Sequence, residues 1–431
     1  MGTIRRVVAA AVVAVILPAV LSGCDGGHSP EPDEQAAPVS VSFPSIGYGF
    51  SLAEVVEGLD QPSGVAVSAD GSRLFLSGGN GEASGIARLD DDTDTVTWLG
   101  TELEHPGLIA TSPDGLLYAI DQEDDDLHVS SDQGSTWRAI PAATGGFSGS
   151  QAVAARDGLV VVTNGDDDSL AVSTDTGETW RRIDKGAGLF AGVAGVVIDR
   201  AGRILVLDSS DGGISVSADQ GSSWRKIDGT QTGLVAPLAI AVGPSDELVV
   251  TDPGAGGLAR SIDGGETWTS TAGFENAFGV AIDGKGLVYV TDDQFSLVKL
   301  TAVPGLPKDV RARWGQEPGT VEVSWERSGV TGGADLTGQT VSILLDPSSN
   351  GGGADDHDSP VDDSTSPSPA PSESGPTFEW DEQLAPDIER TTMTGITPGV
   401  DVLVTVIVTN AAGASAPKSV RLTADADGGS R

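Results

Sequence analysis

One eight-residue pattern, Ser-x-Asp-x-Gly-x-(Thr or Ser)-Trp, occurs four times along the chain. It runs through Ser130, Asp132, Gly134, Thr136 and Trp137, and returns at Ser173, Asp175, Gly177, Thr179 and Trp180. The third copy holds Ser217, Asp219, Gly221, Ser223 and Trp224; the fourth holds Ser261, Asp263, Gly265, Thr267 and Trp268. Successive aspartates stand 43, 44 and 44 residues apart. A fixed period of this length builds a stack of small units, because one such unit cannot bury an apolar face alone. Within the pattern the chemistry is that of a tight hairpin. The carboxylate and hydroxyls bond turn amides, Gly permits positive φ, and Trp packs over the turn.

The repeat is wider than this pattern. Each unit opens with an apolar strand: GVAVS (64–68), GLIAT (107–111), AVAAR (152–156), GVVID (195–199), LAIAV (238–242) and GVAID (279–283). A turn, a second strand such as LVVVT or ILVLD, an acidic or Gly-rich loop and a third strand follow. Trp98 reads as a decayed fifth copy of the hairpin. The pattern resembles the Asp-box, or BNR, repeat of the sialidase superfamily and other propellers, and the first two strands are similar to NHL-type blades. The resemblance covers residues 48–303 and implies four-stranded blades with the Asp-box between strands three and four. Six units predict a six-bladed β-propeller over residues 46–303. The sixth, 279–303, has only three strands, and Phe50–Glu57 is expected to supply its outer strand and close the ring.

Beyond Pro304 the pattern changes to alternating half-buried strands. The stretch ITPGVDVLVTVIVTNAAGASAP (396–417) resembles the E–F–G region of a fibronectin type III domain. That resemblance makes Trp325 the buried strand-B tryptophan, while Val402 stands where the family usually has a tyrosine. The chain therefore reads as all-β: a six-bladed β-propeller followed by a fibronectin type III-like β-sandwich over 304–424. Residues 346–377, rich in Ser, Pro, Gly and Asp, read as a disordered insert, and 425–431 as a tail.

At the other end, Arg5 and Arg6 precede an apolar run from Val7 to Val20, the layout of a signal peptide. Leu21-Ser22-Gly23-Cys24 resembles the bacterial lipobox. The resemblance implies removal of residues 1–23, lipid on Cys24, a flexible tether over 24–45, and a place on the outer face of the cell membrane. Cys24 is the single cysteine, so no intrachain disulfide forms.

Acids outnumber bases 63 to 24, a net charge of −39. Such a surface repels nucleic acid and attracts cations. The loops after the second strands concentrate acids: Asp121, Glu123, Asp124, Asp125 and Asp126, then Asp166, Asp167 and Asp168, with Asp208, Asp211, Asp252, Asp292 and Asp293 following. Topology puts these loops on one face, opposite the Asp-boxes. No cofactor is required; Asp124, Asp125, Asp126, Asp166, Asp167 and Asp168 suit Ca²⁺. The plain alternative is that aspartate ends these strands for turn geometry. His28, His105, His128 and His357 show no metal-ligand spacing, so zinc is not expected.

A sialidase would need an arginine cluster and a tyrosine nucleophile in the funnel. Arg138, Arg181 and Arg225 instead follow the box tryptophans onto outermost strands, and Tyr118 and Tyr289 lie within second strands. The Asp-box residues Asp132, Trp137, Asp175, Trp180, Asp219, Trp224, Asp263 and Trp268 read as scaffold, and no catalytic residue is assigned. A glycosidase needs two placed carboxylates and, commonly, aromatic platforms. Only Trp380 is free of a structural assignment. The expected function is a monomeric, non-catalytic surface lipoprotein whose acidic face binds a protein, a cation or a cell-envelope ligand. A polysaccharide-degrading or carbohydrate-binding protein and a purely structural envelope protein are the alternatives.

In bacterial cells fed labelled palmitate, Cys24→Ser is expected to abolish labelling and to move the chain to the soluble fraction. Undiminished labelling would contradict the lipobox reading.

Overall fold

The computed structural model describes residues 5–8, 50–57, 63–79, 84–90, 95–99, 103, 105–184, 186, 189–274, 276–292, 296–345, 380–397, 400–415 and 417–423. Cys24, the tether, the insert 346–377 and the tail lie outside the described residues. Two compact units result, residues 1–284 with 288–300, and residues 285–287 with 301–431.

The first unit is a β-propeller built from six antiparallel sheets among its described residues. Sheet one holds Val65–Val67, Arg73–Gly79, Ser84–Asp90 and Thr95–Leu99. Sheet two holds Pro106–Thr111, Leu117–Asp121, Leu127–Ser130 and Arg138–Ile140. Sheet three holds Ser150–Arg156, Leu159–Asn164, Ser169–Ser173 and Arg181–Ile183. Sheet four holds Val193–Ile198, Ile204–Asp208, Ile214–Ser217 and Arg225–Ile227. Sheet five holds Ala239–Val242, Leu248–Asp252, Gly257–Ser261 and Thr269–Ala272. Sheet six holds Ala277–Ile282, Val288–Asp292 and Ser296–Ala302, and continues with Phe50–Glu57 and then Arg5–Val8. The first strands pack against one another in order, and that of sheet six packs against that of sheet one.

Second strands are covered on both faces, which is why they are rich in Val, Ile and Leu rather than alternating with polar residues. Val160, Val161 and Val162 are fully buried, as are Leu205, Val249 and Val250. The four hydroxyl exceptions are also buried: Ser77, Thr163, Thr251 and Thr291 occupy one position near the end of their second strands. Each accepts a hydrogen bond from the first strand of its own sheet, from Gly64, Ala152, Ala239 and Gly279 N–H at 2.6–3.0 Å. Each donates to a carbonyl in the next sheet or leading into it: Gly107 (2.7 Å), Ala194 (2.9 Å), Phe278 (2.8 Å) and, from sheet six back to sheet one, Ser63 (3.3 Å). Several first strands bulge here, between Ser150 and Ala152 and between Ala277 and Val280, so the hydroxyl serves backbone groups that the ladder leaves over.

The outer ends are tied by the Ser-x-Asp-x-Gly hairpins. Ser173 Oγ accepts from Gly177 N–H (2.8 Å) and donates to Asp175 (2.7 Å), whose carboxylate also accepts from the Thr179 amide and hydroxyl. The other three copies repeat this network. Gly177, at φ +88°, has a second reason to be glycine: a Cβ there would meet Ile140 of the preceding sheet at 2.9 Å. Gly134 and Gly221 stand in the same way against Leu99 and Ile183. Arg138, Arg181 and Arg225 reach forward to the next hairpin, at Glu178, the Gln220 carbonyl and Glu266.

The second unit packs a three-stranded sheet, Lys308–Trp314, Thr320–Glu326 and Arg390–Thr394, against a sheet of Leu336–Leu345, Trp380–Leu384, Val402–Asn410, Gly413–Ala414 and Lys418–Leu422. Val321, Val323, Trp325, Val341, Ile343, Met393, Val402, Val404 and Val406 fill the core between them. Trp325 is buried and donates Nε1–H to Gln339 at 2.6 Å. The expectation that Trp380 is free is corrected: it begins a strand and packs against this core.

Thr163→Val keeps the shape and removes the stitch, stranding the Ala152 N–H and the Ala194 carbonyl. The change is expected to cost about 1–3 kcal/mol. Urea unfolding measures it, and an unchanged midpoint would contradict the role given to the hydroxyl.

Candidate functional site

The propeller's two ends differ in chemistry because its sheets are antiparallel. Turns between first and second strands share one end with the Ser-x-Asp-x-Gly hairpins; the loops after the second strands share the other. At the hairpin end a cavity of about 570 Å³ is lined by first-strand and turn residues of all six sheets. Its wall is aliphatic, with Val65, Ile109, Val153, Val196, Ile240 and Val280 each from a different sheet. Two guanidinium groups line it, Arg156 and Arg200, and Arg156 Nε donates to the Ile198 carbonyl at 3.2 Å. Among the described residues Asp283 is the single carboxylate of the lining, where it accepts from the Tyr289 hydroxyl at 3.4 Å, and none of the described lining residues is aromatic.

At the opposite end most of the predicted acids serve the backbone. The last residue of the second strand accepts amides of the segment that enters the same sheet: Asp121 from His105, Asn164 from Ser148, Asp208 from Ala191, and Asp252 from Val235 and Ala236. Asp125 reaches from sheet two to sheet three, accepting from Gly149 (3.0 Å) and Ser150 (2.8 Å). Asp126 accepts from Ala142 N–H (2.7 Å), and Asp166 from the Ser148 hydroxyl (2.6 Å). Asp167 pairs with Arg182. Asp125 and Asp168 hold φ of 62° and 55°, the turn conformation that Gly212 supplies in sheet four. The six residues expected to suit Ca²⁺ thus stay in two separate loops, where they hold turns, amides, a hydroxyl and a guanidinium, Asp124 among them through the Asp126 amide. Asp124 also joins a group the sequence reading missed: ligand atoms of Asp121, Asp124 and His128 lie within 4.8 Å of one another.

The box aspartates are strong acids. Backbone and side-chain bonds from Thr136 hold Asp132 at about 2, against an ordinary 3.8. Bonds from the Thr179 hydroxyl and amide, and from the Ser223 hydroxyl and amide, do the same for Asp175 and Asp219. At Asp263 burial pushes upward, but the bonds from Thr267 and Ser261 outweigh it and the carboxyl is lowered too. None of these groups faces the cavity lining.

The sheet topology defines the class as β-propeller. No family model matches the chain, and no curated protein matches it. Among solved structures it is similar to virginiamycin B lyase from Staphylococcus aureus, 15% identical over 59% of this chain and 100% of that one, with a TM-score of 0.45. It is similar also to YCF48 from Cyanidioschyzon merolae, 15% identical over 70% of this chain and 94% of that one, with a TM-score of 0.39. A third likeness is to the GH74 xyloglucanase from Xanthomonas campestris, 16% identical over 58% of this chain and 37% of that one, with a TM-score of 0.40.

A carboxyl whose folded pKa is depressed stabilises the fold above its unfolded pKa and stops doing so as pH falls through the folded value. For Asp132, Asp175 and Asp219 that window runs from 3.8 down to about 2. Stability followed by thermal melts is expected to hold steady on approach to pH 4 and to fall below it, less steeply in Asp175→Asn. An equal slope in the variant would contradict the assignment.

Proposed function

We propose that the chain is an exported, lipid-anchored binding protein that performs no catalysis. In this reading a six-bladed propeller of Asp-box repeats, closed by Phe50–Glu57, presents its acidic loop end to a cationic protein or cell-envelope ligand. The second unit, a fibronectin type III-like module, acts as spacer or second contact. The observation that carries the reading is the cavity lining: one carboxylate, two guanidinium groups and an aliphatic wall. Hydrolysis of a glycosidic bond by the usual route requires a pair of carboxylates across the bond, and this lining offers one. At the loop end, backbone amides fix the acids in place, so their negative potential stands without ordering mobile side chains first. Glu123 and Asp166 are exposed there.

Surface-immobilised protein is expected to retain oligolysine and a fraction of envelope material at low ionic strength. It should release them at about 0.5 M salt, where exposed charges are screened within ~4 Å. Glu123→Gln with Asp166→Asn should weaken retention severalfold. Release of reducing ends from a panel of polysaccharides would replace this reading with the glycosidase one.

A further inference from the structure

The repeats serve as internal controls for one another, and sheet two differs from sheets three and four where its third and fourth strands pair. In sheet four Asp208 and Asp211 both bond the ammonium of Lys226, at 3.1 and 2.6 Å. In sheet three Asp167, the counterpart of Asp211, pairs with Arg182. Lys226 lies on the fourth strand opposite Ser215, and Arg182 opposite Ala171. Sheet two has the same loop length, which puts Asp121 at the Asp208 position and Asp124 at the Asp211 position. Its fourth strand, however, carries Ala139 where sheets three and four carry a cation and sheet five carries Ser270, and the residue opposite is His128. Ala139 therefore brings no ammonium to this end of sheet two. An imidazole has appeared beside the two carboxylates on the third strand, where sheets three, four and five hold Ala171, Ser215 and Ala259.

His128 is 8% exposed, and its Nδ1 is buried without a hydrogen-bond partner. A buried polar atom left unsatisfied calls for a ligand or an ion. One ring nitrogen of His128 and one oxygen each of Asp121 and Asp124 fall within 4.8 Å of one another. Asp121 Oδ1 is oriented by the His105 and Glu123 amides (3.2 and 3.1 Å), and Asp124 Oδ1 by the Asp126 amide (3.0 Å). Such outer bonds aim metal-binding carboxylates.

We propose that Asp121, Asp124 and His128 bind one divalent transition-metal ion, Zn²⁺ by preference, at the place Lys226 Nζ fills in sheet four. Ca²⁺ wants six to eight oxygen ligands, which this group does not supply. Two carboxylates and an imidazole match Zn²⁺, with water in the fourth position. Zn²⁺ bonds of about 2.0–2.2 Å place tetrahedral ligand atoms about 3.4 Å apart, so small side-chain rotations complete the site. The ion does for sheet two what lysine does for sheet four, neutralising a pair of carboxylates that the strand-end geometry forces together. This proposal does not depend on what the propeller binds.

The test is titration of the chelator-treated full chain with ZnCl₂, by calorimetry and by thermal melts, beside two variants. His128→Ala installs the residue that sheets three and five carry. Ala139→Lys installs the sheet-four lysine and should fill the site with an ammonium. The native chain is expected to take up one Zn²⁺ and melt higher with it; both variants should bind at least about tenfold more weakly while staying folded. Native-like Zn²⁺ affinity in either variant overturns the proposal, as does failure of the native chain to bind Zn²⁺. A preference for Ca²⁺ over Zn²⁺ overturns it as well.

Discussion

A buried hydroxyl near the end of the second strand holds the ring of sheets together. A propeller sheet is covered on both faces, so any backbone group its ladder leaves over must be met from within the protein. Ser77, Thr163, Thr251 and Thr291 each meet two backbone groups where one sheet approaches the next, beside a bulge of the first strand in sheets three and six. The last of them joins sheet six to residue 63, so the same bond that links neighbours also closes the circle. Sheets two and four have Ile120 and Leu207 at this position, and Asp125 carries the link from sheet two to sheet three.

The repeated Ser-x-Asp-x-Gly hairpin belongs to the same logic at the rim. Its serine and aspartate satisfy the turn, its glycine lets the preceding sheet approach, and the arginine after its tryptophan clasps the following hairpin. In three of the copies the tryptophan Nε1–H also donates to the carbonyl of the motif's glycine. A chain can therefore repeat this motif four times without repeating an active site, and function is left to positions where the repeats differ.

That distinction explains what could be read from the sequence. The period, the strand order within a unit and the hairpin at Ser173–Trp180 are local, so 43- or 44-residue spacing exposes them directly. The second-strand threonines were legible only as good strand formers; their partners lie in another sheet, roughly thirty residues on in sequence for Thr163 and Thr251. The acidic loops are legible as charge or as turn geometry, and sequence does not choose between them: Asp125 and Asp126 are acceptors for amides. Asp121 and Asp124 are legible as loop acids, but nothing in ligand spacing joins them to His128. The signal lies in the register of the repeats, where Ala139 stands in place of Arg182 and Lys226 of sheets three and four. Trp380 was misread because its strand pairs with Leu336–Leu345 across the long insert.

Amide hydrogen exchange over Phe50–Glu57 tests the account most directly, because ring closure joins this strand to Ser296–Ala302 across almost the whole propeller sequence. A closed ring predicts that its amides exchange as slowly as those of Ser296–Ala302, both through global unfolding. Exchange at the rate of an unstructured peptide, with Ser296–Ala302 still protected, would contradict closure.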